Sequence, residues 1–260
     1  YNLEEVFNNQ EVSSNILSET ATLQKLNVNN IYILNYSSNR NIDFKSILQE
    51  DVVLTKKSDK ILLYNTHTSE SYTNSPNYQF EYSSVMRSLD ARYNMLAIAK
   101  ELNENLLKKG FSSTQDTTPH DYGAYTGAYL KSRQTIQKDL SSMGGAGIIM
   151  DVHRDAVEDL TFRPIASING VEVSQLMLVV GIGDNEYWKD NLKIALKIQS
   201  IANKVYPGLF RQMIIRDSTY NQDLNKYSML VEFGATGNTI DEVKLSTRCL
   251  ANLLNILYKD

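Results

Sequence analysis

The chain is poor in the residues that would assign it quickly to a class. A single cysteine, Cys249, excludes an internal disulfide. It sits in a helical pattern, where a lone thiol packs rather than reacts, and it does not identify a compartment. No apolar run is long enough to cross a bilayer. Positive charge is not in excess: 26 Lys and Arg stand against 30 Asp and Glu, for a net charge of −4. That balance argues against nucleic acid as the main partner. The four prolines and 12 glycines gather into no linker, and no internal repeat is visible. What is present is an ordinary globular composition, 42% hydrophobic and 22% charged over 260 residues. Such a chain can bury a full core as one large domain or two small ones. Starting at Tyr1 rather than Met, it reads as a fragment or processed product, so the absence of a leader or anchor here says nothing about the native protein.

Histidine is also scarce, at three residues, and two of the three stand just past short apolar runs. Lys60-Ile61-Leu62-Leu63-Tyr64 leads into Asn65-Thr66-His67-Thr68-Ser69-Glu70, and Gly147-Ile148-Ile149-Met150 leads into Asp151-Val152-His153-Arg154-Asp155. In open α/β sheets, strand ends are where ligands sit. His67 and Glu70, three apart, plus the distant His153 make the ligand set of a catalytic zinc site with one position left for water. A base for that water is Glu232, at the end of the apolar run Met229-Leu230-Val231. Partly apolar surroundings there favour a raised pKa and proton shuttling. Asp151 shares a strand face with His153 and can orient its imidazole, and Asn65 stands in the same relation to His67. His120, in Pro119-His120-Asp121-Tyr122, follows no expected strand and suits a substrate-binding or ligand-orienting role. Plainer readings stand beside these. The histidines can be solvated loop residues, Asp151 and Asn65 simple hydrogen-bonding groups, and Glu232 the ion-pair partner of Arg154 or Arg87.

The hydrophobic patterning predicts strands over 30–36, 60–64, 147–152, 209–215 and 228–233, and a hairpin whose arms, 161–168 and 171–183, flank Asn169-Gly170. It predicts helices over 87–109, 125–142, 186–205 and 241–257, and polar loops over 71–86 and 112–121. Strands alternating with long helices imply a three-layer α/β/α single domain with a mostly parallel, partly mixed sheet. Residues 1–29 read as an N-terminal appendage or short helix, and 30–260 as the domain proper.

Taken together, these residues resemble the stage II sporulation protein P family of peptidoglycan amidases. The stretches that carry the resemblance are Tyr64-Asn65-Thr66-His67-Thr68-Ser69-Glu70-Ser71-Tyr72, Arg87-Ser88-Leu89-Asp90, and His120-Asp121-Tyr122 with Tyr125, Tyr129 and Ser132. Asp151-Val152-His153-Arg154-Asp155 and Leu230-Val231-Glu232-Phe233-Gly234 complete the set. The match runs from about Lys60 to the C-terminus; many members carry a second histidine where this chain has Asn65. The resemblance implies an amidase-type, phosphorylase/hydrolase-like fold for 30–260. It implies a zinc-dependent N-acetylmuramoyl-L-alanine amidase with one Zn2+ per chain, cutting the amide between N-acetylmuramic acid and the first L-Ala of the stem peptide during engulfment in sporulation. Beside such a metal Arg154 is the expected holder of the oxyanion, or equally an ion-pair partner of Asp155 or Glu232, and His120 is a candidate substrate contact. It further implies an extracytoplasmic enzyme tied to the septal or engulfing membrane by an N-terminal anchor absent from this chain. The implied partner is stage II sporulation protein D, a lytic transglycosylase. Two rivals fit the same pattern: a zinc carboxypeptidase or endopeptidase acting on stem peptides, with Arg87, Arg154 and Arg163 as its cationic pocket, and a catalytically inactive wall-binding module.

Overall fold

A computed structural model describes residues 23–54, 59–83 and 85–259. Among these, eight strands form one sheet in the order β1 (Gln24–Val28), β2 (Ile31–Asn35), β9 (Met213–Arg216), β8 (Leu176–Gly181), β10 (Ser228–Ala235), β5 (Ile148–Asp155), β3 (Lys60–Tyr64) and β4 (Ser112–Gln115). The pairings β1–β2 and β8–β10 are antiparallel and the other five are parallel. The helices are α1 (Phe44–Gln49), α2 (Met95–Lys108), α3 (Ala128–Met143), α4 (Trp188–Val205) and α5 (Ile240–Lys259).

Period-two alternation sends neighbouring side chains to opposite faces of the sheet. Ile61 and Leu63, Ile148, Met150 and Val152, and Met229, Val231 and Phe233 enter one large core, which also contains Met95, Ile98, Leu102 and Leu192, and Leu250 and Leu254. Leu62, Tyr64 and Ile149 point the other way, onto Ile136, Leu140 and Met143 of α3. Covered on both faces, β3 needs no polar alternation, which is why it reads as an unbroken apolar run. The expected three-layer α/β/α arrangement with a mostly parallel sheet is therefore what forms.

On the α3 side, the apolar series stops partway along two adjacent strands. Ile149 is followed by Asp151 and His153, and Leu230 by Glu232. These polar residues collect near the C-terminal ends of β3, β5 and β10.

Several elements differ from the patterning. Residues 1–22, most of the expected appendage, lie outside the described residues, but Gln24–Val28 is an edge strand of the sheet. The helix expected from 87 begins at Met95, because Asn94 caps it by accepting from Leu96 N–H at 3.0 Å. The preceding residues are drawn aside, Arg87 and Asn94 bridging to Glu70 and Ser71. Ser112–Gln115, expected as loop, is a polar edge strand paired with β3. Asn169 and Gly170 both have positive φ, 52° and 79°, the geometry of a two-residue hairpin turn between β6 (Ile165–Ile168) and β7 (Val171–Ser174). The run expected to continue to Gly183 breaks after Ser174, and β8 joins the main sheet instead. Among the described residues, no helix is long and apolar enough to cross a membrane.

Candidate functional site

The turn after β3 is built as a rigid shelf. Asp151, fully buried, accepts from Thr66 N–H at 2.9 Å and from Thr66 Oγ1 at 2.6 Å. Asn65 Nδ2 donates to Val152 O at 2.5 Å. Asp121 accepts from Ser69 N–H at 3.1 Å and Ser69 Oγ at 2.6 Å, and the Arg87 guanidinium binds both Asp121, at 2.9 Å, and Ser69 Oγ, at 2.8 Å. A buried carboxylate spends its lone pairs this way because an unpaired charge there is costly.

This shelf carries His67 and Glu70 towards His153. The two imidazoles meet edge to face, with ring centroids 5.4 Å apart. Glu232 is the register partner of His153 across β10 and β5, so the two side chains share a face. His67, His153, Glu70 and Glu232 thus converge, and His67 and His153 are buried, not the solvated loop residues of the plainer reading. Three buried polar atoms here have no hydrogen-bond partner: His67 Nδ1, His153 Nε2 and Glu232 Oε2. Asp151 shares His153's face as expected: its Oδ2 lies 2.9 Å from His153 Nε2, off the line of a hydrogen bond. Glu70 is drawn to Arg154, accepting weakly from its N–H at 3.4 Å and lying 3.9 Å from its guanidinium; it is also 3.9 Å from His153 Nδ1.

The electrostatics differ sharply over a few ångströms. Burial, then the charges of His153, Arg87 and Arg154, hold the His67 imidazole well below its ordinary range, so it is neutral. Burial also opposes charge on His153, but Asp151, Glu232 and Glu70 outweigh it and push the imidazole up to about 10. Burial pushes the Glu232 carboxyl up to about 8; His153 and Arg211 oppose this, Asp155 and Glu70 add to it. Glu232 is thus not the simple Arg partner of the plain reading. A cluster of carboxylates around one imidazole is a place that calls for positive charge.

Other expectations fare differently. His120 is buried away from solvent, Nδ1 against Asn65 O at 2.7 Å and Nε2 against Thr135 Oγ1 at 3.0 Å, and it follows β4 after all. Both its ring nitrogens are engaged in holding the shelf to α3, which leaves neither for substrate. Asn65 likewise braces β5. Arg154 donates to Thr236 Oγ1. The three arginines of a carboxypeptidase-type pocket each have their own partner: Arg87 with Asp121, Arg163 with Glu242, Arg154 with Thr236 and Glu70. The resemblance includes Ser69, Arg87, Asp121 and Tyr125, but nothing in the sequence foretold that the first three brace one another or that Tyr125 stacks on His67.

Zinc can be tested against these residues. Two imidazoles and a carboxylate are the right donors in kind, and two imidazoles on one tetrahedral zinc have ring centroids about 5 Å apart. The 5.4 Å of His67 and His153 and the unpartnered His67 Nδ1 fit that arrangement, while His153 Nε2 faces Asp151 and Nδ1 faces Glu70. Among the described residues, however, no three His, Cys, Asp or Glu side chains already form a metal-holding group. The expected ligand set is therefore gathered but not closed, with Glu70 engaged by Arg154.

Fold and site together define a three-layer α/β domain with a buried His–Glu cluster at the C-terminal ends of parallel strands. The chain belongs to the Stage II sporulation protein P (SpoIIP) family, whose model matches residues 2–255. It is 27% identical over 227 residues to Stage II sporulation protein P of Bacillus subtilis (strain 168), covering 82% of this chain and 55% of that protein, so it spans about half the relative's length. Among solved structures it is similar to the N-acetylmuramoyl-L-alanine amidase AmiC2 of Nostoc punctiforme, at 11% identity and a TM-score of 0.44 over 77% of this chain and 96% of that one. It is also similar to the CwlD amidase of Clostridioides difficile, at 17% identity and a TM-score of 0.44, with the same coverage.

Proposed function

We propose that this chain is a zinc-dependent peptidoglycan hydrolase that cuts the amide between N-acetylmuramic acid and the L-Ala of the stem peptide. The observation that supports the reading is the convergence of buried His67, His153 and Glu232 at one end of the parallel strands, with His67 Nδ1 and Glu232 Oε2 unpartnered. Membership of a sporulation family supports a role in wall degradation, which this reading places in engulfment.

His67, Glu70 and His153 would hold one zinc ion once Glu70 leaves Arg154 and His153 gives up its proton. Bound there, zinc supplies Lewis acidity toward the scissile carbonyl and the attacking water. Glu232 takes the water proton during attack and returns it to the departing L-Ala nitrogen. A carboxyl pushed up to about 8 by burial is matched to such two-way transfer near neutral pH. Arg154, released from Glu70, offers its guanidinium to the developing oxyanion. Asp151 keeps the His153 ring in plane, and His120 acts as scaffold rather than substrate contact.

In this reading the protein works outside the cytoplasm, tied to the septal or engulfing membrane by a segment outside this chain, with stage II sporulation protein D cutting the glycan once stem peptides are gone. The test is digestion of purified peptidoglycan with and without chelator. New amine on L-Ala beside intact muramic acid, abolished by chelation, is the expected outcome. Release of terminal amino acids instead would point to the carboxypeptidase chemistry, and binding without cleavage to a wall-binding module.

A further inference from the structure

His67 is held in an unusual way. A metal-binding histidine ordinarily has its second ring nitrogen fixed by a carboxylate, a carbonyl or a water. Among the described residues no hydrogen bond holds the His67 ring, and its Nδ1 is buried without one. What touches the ring is aromatic. Tyr125 stacks on it face to face, with centroids 4.0 Å apart and planes 9° from parallel. Tyr129 meets it edge-on at 5.6 Å.

Tyr125 is itself clamped. The Arg87 guanidinium lies 4.5 Å from the Tyr125 centroid, and Arg87 is fixed by the buried Asp121 at 2.9 Å and by Ser69 Oγ. The clamp is thus anchored to the shelf that carries His67. The loop around Tyr125 takes its shape from Gly123 and Gly127, whose φ angles of 77° and 84° disfavour any side chain. Stacking of this kind stabilises beyond area burial by an amount comparable to the net worth of a hydrogen bond.

We propose that Tyr125 is the positioning residue of His67: its ring, clamped by Arg87, sets the imidazole plane where a hydrogen bond would ordinarily do so, and so prepares His67 to bind zinc. The inference rests on the metal reading of the site above. Tyr125 touches no reacting group and acts only through His67. Its hydroxyl is dispensable in this role and its flat face is not.

The test compares Tyr125→Phe with Tyr125→Leu, the latter keeping apolar bulk without a flat face. In metal-free protein, the His67 ring-proton resonances should be shielded by the stacked ring, remain so in Tyr125→Phe, and move downfield in Tyr125→Leu. In calorimetric titration, zinc affinity should stay within about threefold of wild type in Tyr125→Phe and fall about ten- to a hundred-fold in Tyr125→Leu. Unchanged His67 resonances, or wild-type zinc affinity in a folded Tyr125→Leu protein, would overturn the proposal. If wild type takes up no zinc, the metal reading of the site fails, and the metal-free resonance contrast still decides whether Tyr125 sets the ring.

Discussion

Replacing Glu232 by Gln should change how stability depends on pH, and the size of the change follows from the burial of that carboxyl. In the folded protein Glu232 keeps its proton up to about 8, whereas its ordinary value is 4.5. Across that window the folded state binds more protons than the unfolded chain, so stability is fully present below the ordinary value and is lost as pH rises towards 8. At about 1.4 kcal/mol per pH unit the ceiling is about 5 kcal/mol, of which relaxation and water entry leave roughly 2–3. Gln carries no proton to lose. The assay is thermal melting of chelator-treated wild type and Glu232→Gln from pH 5 to pH 8. For a domain of this size the melting-temperature difference should swing in favour of the variant by about 4–10 °C across the range. The constant offset between the two proteins is irrelevant; only the slope is diagnostic. A difference that does not vary with pH would show that Glu232 is not the desolvated group described above, and would remove the basis for its proton-shuttling role.

The same variant should retain zinc while losing about a hundred- to ten-thousand-fold in turnover, read as amide cleavage on purified peptidoglycan. Asp151→Asn removes the main charge that favours the His153 imidazolium, so the His153 midpoint should drop from about 10 towards the ordinary imidazole range, followed by NMR titration of metal-free protein; a midpoint left near 10 would contradict that cause. Asp121→Ala removes the buried carboxylate that pairs Arg87 and accepts from the Ser69 amide, and should cost about 3–5 kcal/mol in denaturant unfolding. A loss below about 1 kcal/mol would mean the brace is replaced by water or another residue.

Much of this was legible in the sequence because one face of the sheet switches character along a strand. Ile149 gives way to Asp151 and His153, and Leu230 to Glu232, and a period-two reading places each set on a common face. That both strands are neighbours, and that Glu232 falls opposite His153, depends on strand order, which no single segment encodes. The late start of α2 was hidden for a similar reason. Residues 87–94 have helical spacing, but Arg87 and Asn94 are worth more as bridges to Glu70 and Ser71 than as a further helical turn. β4 was invisible because an edge strand with polar residues lacks an apolar signature. His120 looked like a free loop histidine for want of that strand, whereas the structure buries it between the shelf and α3. Tyr125 is the clearest limit: its importance lies in what it stacks on, a contact 58 positions away in sequence and set entirely by the fold.

The central claim is that His67, Glu70 and His153 close on one divalent ion. The most direct measurement is an anomalous-scattering map at the zinc edge from crystals of the zinc-loaded protein. One peak per chain, coordinated by His67, His153 and a Glu70 carboxylate turned from Arg154, is the expected result. A peak elsewhere, or none at this pocket under saturating zinc, would contradict it.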